Sequence, residues 1–369
     1  MPGVAHLAQL EAYLNHRLLG QPEAVAEFSS AIVRAECGPA RPGRTRAFLL
    51  LLGPTGTGKT EMVHLTARFL YGAAAAQRLE RFDMGEYQHP DSVVRLLGSP
   101  AQPPLLGRAI DRLNAAGGGI LLLDEIEKAF PDLLTALLSF DSARSTMFDG
   151  TTRDLTRLVV VLTSNLGAAE AARMENSGYS AICRKLRHAA EERFRKEGVA
   201  RFTSVNCMNV LTYPVQEQIT RNLVAAELEL QSQHLRRVIS AESEVVTFLV
   251  GKGFSPDLGA RHIRNCVERH VGNALRAFAL AGADDPPARA TRAPLADRWS
   301  DALLLTVEAD ELVARPAERS AALRGVLTRQ VPAPAAEPRT RQPFADRAAS
   351  RFSQPQTSDA PRTSPVCPA

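Results

Sequence analysis

The octapeptide Gly53-Pro54-Thr55-Gly56-Thr57-Gly58-Lys59-Thr60 constrains this chain more than any other stretch. It follows an apolar run, Phe48-Leu49-Leu50-Leu51-Leu52, and precedes a segment with Met62, Leu65 and Phe69 on one helical face. Strand, loop and helix in that order are the setting in which G-x-x-x-x-G-K-[ST] binds phosphate. The glycines let the backbone wrap a phosphate, while exposed N–H groups and the helix N-terminus supply positive potential. The spacing lets Lys59 reach the β- and γ-phosphates of a nucleotide and lets Thr60 hold Mg²⁺. Lysine is scarce here, five residues against 39 arginines, yet one stands where this chemistry needs it.

From residue 47 to about 214 apolar strands alternate with helical stretches. The strands are read at Ala47–Leu52, Arg78–Phe82, Gly119–Leu123, Leu158–Thr163 and Val210–Tyr213. Strands separated by helices imply right-handed crossovers and a parallel sheet covered by helices on both faces, an α/β fold. Residues 5–36 read as two short helices broken at Gly20-Gln21-Pro22, and 215–282 read as helical, with Ile263, Val267, Val271, Ala274 and Phe278 on one apolar face. Residues 283–298 read as a surface insertion, and 302–314 alternate like a closing hairpin. The expected domains are therefore 1–214, a large nucleotide-binding unit; 215–316, a small mainly helical lid; and 317–369, a disordered tail. That tail carries eight prolines, and its eight arginines against four acids account for the whole net charge of +4. Such a composition cannot bury enough apolar surface to offset the entropy of ordering.

The balanced charge of the remaining residues argues against a nucleic-acid or membrane footprint. Five scattered cysteines without a C-x-x-C pair fit a reducing, cytoplasmic setting. Residues 1–10 show no signal-peptide pattern, and no apolar run is long enough to span a bilayer.

Two further motifs follow the phosphate loop. Gly119-Ile120-Leu121-Leu122-Leu123 ends in Asp124 and Glu125 at the carboxyl edge of the sheet, where open α/β sheets bind ligands. Asp124 is suited to hold Mg²⁺, directly or through water, and Glu125 to orient and deprotonate an attacking water. Val159–Leu162 then delivers Thr163-Ser164-Asn165 to the same edge, where Asn165 could hold that water in line. A turn-forming asparagine after a strand is the plainer alternative for Asn165.

The chain resembles the Clp ATPases of the AAA+ superfamily, most closely the second, C-terminal ATPase module of double-ring members. The likeness rests on Arg17-Leu18-Leu19-Gly20-Gln21-Pro22-Glu23-Ala24-Val25, LLLGPTGTGKTE (50–61), Phe82-Asp83-Met84-Gly85-Glu86-Tyr87, LLLDEIEKAFPD (121–132), Thr163-Ser164-Asn165-Leu166-Gly167 and Gly259-Ala260-Arg261. It covers roughly residues 7–314. The resemblance implies an AAA+ large domain and helical lid, Mg²⁺-dependent ATP hydrolysis, and work on a protein client. It implies that Leu18 and Leu19 line the adenine pocket and that Arg261 is the sensor arginine of the lid. It also implies that Arg201, in FRKEGVARF (194–202), reaches the nucleotide of a neighbouring subunit in a ring, usually of six. The plainer reading of Arg201 is a solvated arginine on a basic helix.

Three departures bear on function. Family members that thread polypeptides carry an aromatic, glycine-flanked pore loop, but here 98–108 is shorter and holds no Tyr, Phe or Trp. Phe202-Thr203-Ser204-Val205-Asn206 replaces the usual acidic continuation after the arginine. Between Leu166 and Glu191 there is no Ile/Leu-Gly-Phe/Leu tripeptide, so no barrel peptidase is expected as partner. The leading expectation is a ring-forming Mg²⁺-ATPase acting on a protein partner. The alternative is a non-threading switch or assembly ATPase within a larger secretion or transfer machine. A DNA-loading ATPase is disfavoured, for want of a helix-turn-helix signature or a basic face outside the tail.

Overall fold

A computed structural model describes residues 3–39, 41–174, 177–255, 258–281 and 302–317. The expected insertion at 283–298 and the expected disordered tail, apart from Ala317, fall outside the described residues.

Three helices lead in: α1 (Val4–Leu7), α2 (Leu10–Arg17) and α3 (Pro22–Cys37). Strand β1 (Ala47–Leu52) then feeds α4 (Lys59–Tyr71), and β2 (Leu79–Asp83) is followed by α5 (Asp91–Leu97) and α6 (Leu105–Ala115). Next come β3 (Gly119–Asp124), α7 (Pro131–Leu137), a small hairpin of β4 (Arg144–Thr146) and β5 (Thr152–Asp154), and β6 (Leu158–Ser164). Helices α8 (Ala168–Ala172) and α9 (Tyr179–Val199) lead to β7 (Ser204–Cys207). The five long-range strands form one sheet in the order β2-β3-β6-β1-β7, with every pair parallel.

The sheet explains why its strands read as unbroken apolar runs. On β1, Ala47, Leu49 and Leu51 face one core with α2, α3 and α4, while Phe48, Leu50 and Leu52 face the other with α5 to α9. β3 and β6 divide in the same way, Ile120, Leu122, Val159 and Val161 to the first core and Leu121, Leu123, Val160 and Leu162 to the second. Both faces of these strands are covered, so no position in them is left for a polar residue until the carboxyl edge is reached.

The fifth strand corrects the sequence reading. It lies at Ser204–Cys207, not at Val210–Tyr213, and pairs with Leu49–Leu52. As an edge strand it carries Ser204 and Asn206, which break the apolar run that betrays a central strand. Val210 and Leu211 are buried as loop residues, and Tyr213 opens a helix with a proline in its first turn.

The remainder is α10 (Tyr213–Leu235), β8 (Ile239–Ala241), α11 (Ser243–Gly253), α12 (Gly259–Ala281), β9 (Ala302–Glu308) and β10 (Glu311–Ala317). The uniformly helical reading of 215–282 missed β8, which at three residues is too short to show a period. β8 pairs parallel with β9, and β9 pairs antiparallel with β10 around Ala309 and Asp310, both at positive φ. Ile263, Val267, Val271 and Ala274 do form the buried face of α12, with Phe278 packed at its margin. Among the described residues no helix is long and apolar enough to cross a membrane, and Cys37, Cys183, Cys207 and Cys266 are free thiols.

Candidate functional site

The loop from Gly53 to Gly58 leaves the carboxyl end of β1 and turns into α4 through left-handed backbone. Gly56 has φ 75° and Gly58 has φ 101°. Space, as well as conformation, demands glycine at both. A Cβ on Gly58 would lie 2.5 Å from Leu18 Cδ1, and one on Gly56 would lie 2.1 Å from the Leu258 carbonyl oxygen. A side chain at Gly56 would thus drive the loop away from the backbone of residues 258–260, and one at Gly58 would displace Leu18. Thr57 Oγ1 donates to the Pro54 carbonyl at 2.8 Å and keeps the loop wound.

Lys59, the first residue of α4, is buried. Its ammonium donates to the carbonyls of Gly53 and Pro54, both at 2.7 Å, and to Asn165 Oδ1 at 2.8 Å. Burial pushes its pKa down to about 8, against the opposing fields of Glu127, Asp124 and Glu125. Arg261 pushes the same way as burial. An arriving phosphate would restore the favoured charge.

Asp124 ends β3 and is buried. Thr60 Oγ1 lies 3.1 Å from each of its carboxylate oxygens, Arg81 reaches it at 2.7 Å, and Thr163 Oγ1 donates to it. A threonine hydroxyl beside a carboxylate at the lip of the phosphate cradle is a hard-oxygen pair. That donor set fits Mg²⁺ completed by water and phosphate oxygens. Glu125 sits in left-handed backbone at φ 56°, which turns its side chain out of the strand line. Such strain in a non-glycine residue concentrates at functional positions. Its N–H donates to Thr163 Oγ1 at 3.0 Å, and its carboxylate pairs with Lys128 at 2.5 Å.

The lid closes over this edge. Ala260 N–H, in the first turn of α12, donates to the Gly56 carbonyl at 3.1 Å, so Arg261 and Arg264 come to line the same cavity. Leu18 and Leu19 line it too, together with Leu211, Ile219 and Leu223. The buried Gln21 holds that wall: its amide donates to Asn209 O at 2.9 Å and accepts from Asn209 N at 2.7 Å. The cavity measures about 710 Å³ and gathers Leu18, Leu19, Thr55 to Thr60, Asp124, Glu125, Asn165 and Arg261.

Arg201 is not brought there. Beside it Thr203 N–H donates to the Phe48 carbonyl and Phe202 stacks on Phe48, which places it toward the amino end of β1, away from the loop. Its half-exposed guanidinium lies 3.8 Å from Asp141. Among the residues at the site to which sequence reading gave no role are Arg81, Glu127, Lys128, Thr163 and Arg264. Lys128 was findable as a cation three positions after Glu125 on a turn, whereas Arg81 meets Asp124 only because β2 pairs with β3.

Residues 44–205 match the family model described as AAA domain (Cdc48 subfamily), and residues 214–289 match the C-terminal, D2-small domain, of ClpB protein. Chaperone protein ClpB 1 of Nostoc sp. is 35% identical over 278 residues, 73% of this chain and 31% of that protein. Chaperone protein ClpB of Meiothermus ruber is 32% identical over 287 residues, 75% of this chain and 33% of that protein. A solved structure described as the closed state of Hsp104 with ATPγS and FITC casein superposes with a TM-score of 0.68 at 25% identity. The match covers 85% of this chain and 52% of that one. The chain spans about a third of the length of the curated relatives it matches.

Proposed function

The chain belongs to the Clp-type AAA+ ATPases, most like their C-terminal module, and from that premise we propose that it hydrolyses ATP with Mg²⁺ to remodel a protein client. One observation carries this reading. Lys59, Thr60, Asp124, Glu125, Asn165 and Arg261, spread over about 200 positions of the sequence, converge on a single cavity behind a glycine-rich loop.

The roles follow from position. The N–H groups of the loop from Thr55 to Thr60 and the Lys59 ammonium bind the β- and γ-phosphates. Thr60 and Asp124 would hold Mg²⁺, which supplies charge neutralisation at the phosphate oxygens when bound. Glu125 accepts the proton of the attacking water, and Asn165 orients that water. Arg261 brings positive charge from the lid to the γ-phosphate, and Leu18 and Leu19 cover the adenine. Arg201, exposed at the other end of the sheet, completes the site of a neighbouring subunit in a ring of six. That location supports a contribution in trans, because its own cavity lies beyond its reach. Free thiols support a reducing cytoplasmic setting. Phosphate release by the purified chain, with Mg²⁺ and then with excess chelator, tests the proposal. Equal release by wild type and Lys59→Ala would sink it.

A second reading rests on residues 98–104. Ser99 and Gln102 exchange backbone hydrogen bonds of 2.8 and 3.1 Å, closing a tight turn after Gly98, and α6 begins at Leu105. A closed turn without an aromatic offers little rigid apolar area to grip a threaded chain. It supports a non-threading switch or assembly ATPase in a larger secretion or transfer machine. ATP-driven global unfolding of a tagged stable protein would decide for threading.

A further inference from the structure

Glu127 has no part in the roles above, yet its carboxylate is built into them. Glu125 at positive φ starts a tight turn over Ile126–Lys128, and that turn brings the Glu127 side chain back to the end of β6. Its Oε1 accepts from the Asn165 backbone N–H at 3.0 Å and from Asn165 Nδ2 at 3.3 Å. Its Oε2 is buried without a hydrogen-bond partner among the described residues. A buried carboxylate oxygen left unpaired costs stability, so the placement of this acid calls for an explanation at the site.

The other end of the same amide is also committed. Asn165 Oδ1 accepts from Lys59 Nζ at 2.8 Å and from Thr55 Oγ1 at 3.4 Å. Turning the amide over would set its oxygen against two carboxylates and its NH₂ against an ammonium. Glu125 holds Asn165 by one long contact of 3.4 Å, whereas Glu127 holds both the side chain and the backbone. The two acids therefore differ in what they hold: Glu125 pairs chiefly with Lys128, and Glu127 fixes the amide.

We propose that Glu127 is a positioning residue that locks the Asn165 amide in the orientation needed at the attacking water. The inference rests on the hydrolase reading above. It predicts that Glu127→Ala lowers kcat roughly tenfold while nucleotide affinity stays within about twofold, and that Glu127→Gln, which keeps an accepting carbonyl, loses less.

The test is a double-mutant cycle on the full chain, with steady-state phosphate release, fluorescent-nucleotide binding and a melting curve for each variant. If Glu127 acts through Asn165, then Glu127→Ala in an Asn165→Ala background causes no further loss of kcat. Should Glu127→Ala fail to fold, Glu127→Gln carries the same cycle. Independent, multiplicative losses, an unchanged kcat, or a fall in affinity matching the fall in kcat would each overturn the positioning role while leaving hydrolysis intact. A wild-type chain without turnover would overturn both readings together.

Discussion

Lys59 Nζ and Asn165 Oδ1 lie 2.8 Å apart, although 106 positions separate them in sequence. The contact joins the phosphate loop to the end of β6 and gives the two residues separable duties. Lys59→Ala is expected to weaken ATP binding ~100-fold or more, because a buried cation facing phosphate is lost. Asn165→Ala should keep binding and lose turnover. Calorimetric titration beside a phosphate-release assay separates the two, and matched losses in both variants would argue against this division.

Glu125→Gln should bind ATP tightly and lose turnover by ~10²–10⁴, the range for removal of a positioned general base. The substitution keeps the side-chain shape and sacrifices only the charge that takes the proton and pairs with Lys128. Retained steady-state turnover would reassign the base.

Gly56→Ala places a Cβ 2.1 Å from the Leu258 carbonyl in backbone already at φ 75°. The loop or the lid must move. A destabilisation of about 2–4 kcal/mol is expected, with loss of the extra thermal stability that ATP confers on wild type. Scanning fluorimetry with and without ATP reads both effects, and a wild-type melting curve would show that the lid does not rest on the loop.

Subunits carrying Arg201→Ala and subunits carrying Glu125→Gln should each be inactive, since an arginine supplied in trans contributes ~10³–10⁵ in rate. Mixed, they should recover part of the activity, because some interfaces then pair an intact Glu125 with an intact Arg201. Absence of recovery at every mixing ratio, in assemblies of confirmed size, would exclude completion in trans.

Cys183 should label as a thiolate at unusually low pH. The neighbouring Cys207 thiol, followed by the nearby Arg187, holds Cys183 below the ordinary thiol range against the opposing effect of burial, and the same pairing pushes Cys207 up. Alkylation of Cys183, followed by mass spectrometry, should level off at a lower pH than that of an ordinary thiol. In Arg187→Ala the midpoint should move upward. A rate still climbing tenfold per unit at pH 8 would place the thiol in its ordinary range.

Much of the site was legible because its motifs are local. The glycine spacing at 53–58, the acids after Leu123 and the asparagine after Ser164 are each written within a few residues of a buried strand. Both faces of that strand must be apolar, so the first polar residues mark the sheet edge. The family likeness added Leu18, Leu19, Arg201 and Arg261, which no local pattern distinguishes from their neighbours.

The edge strand was misplaced, and β8 and the β4–β5 hairpin were missed, because short or half-exposed strands carry too few residues to declare a period. Sequence alone determined the parallel sheet, its helical cover and the identity of the phosphate-binding loop, since burial on two faces dictates composition directly. Only the tertiary structure decided which side chains share the cavity. Arg81 meets Asp124 through strand pairing, Glu127 reaches Asn165 through a three-residue turn, and Ala260 settles on Gly56 through the packing of a separate domain. Those contacts depend on distances across the fold, which no spacing along the chain encodes.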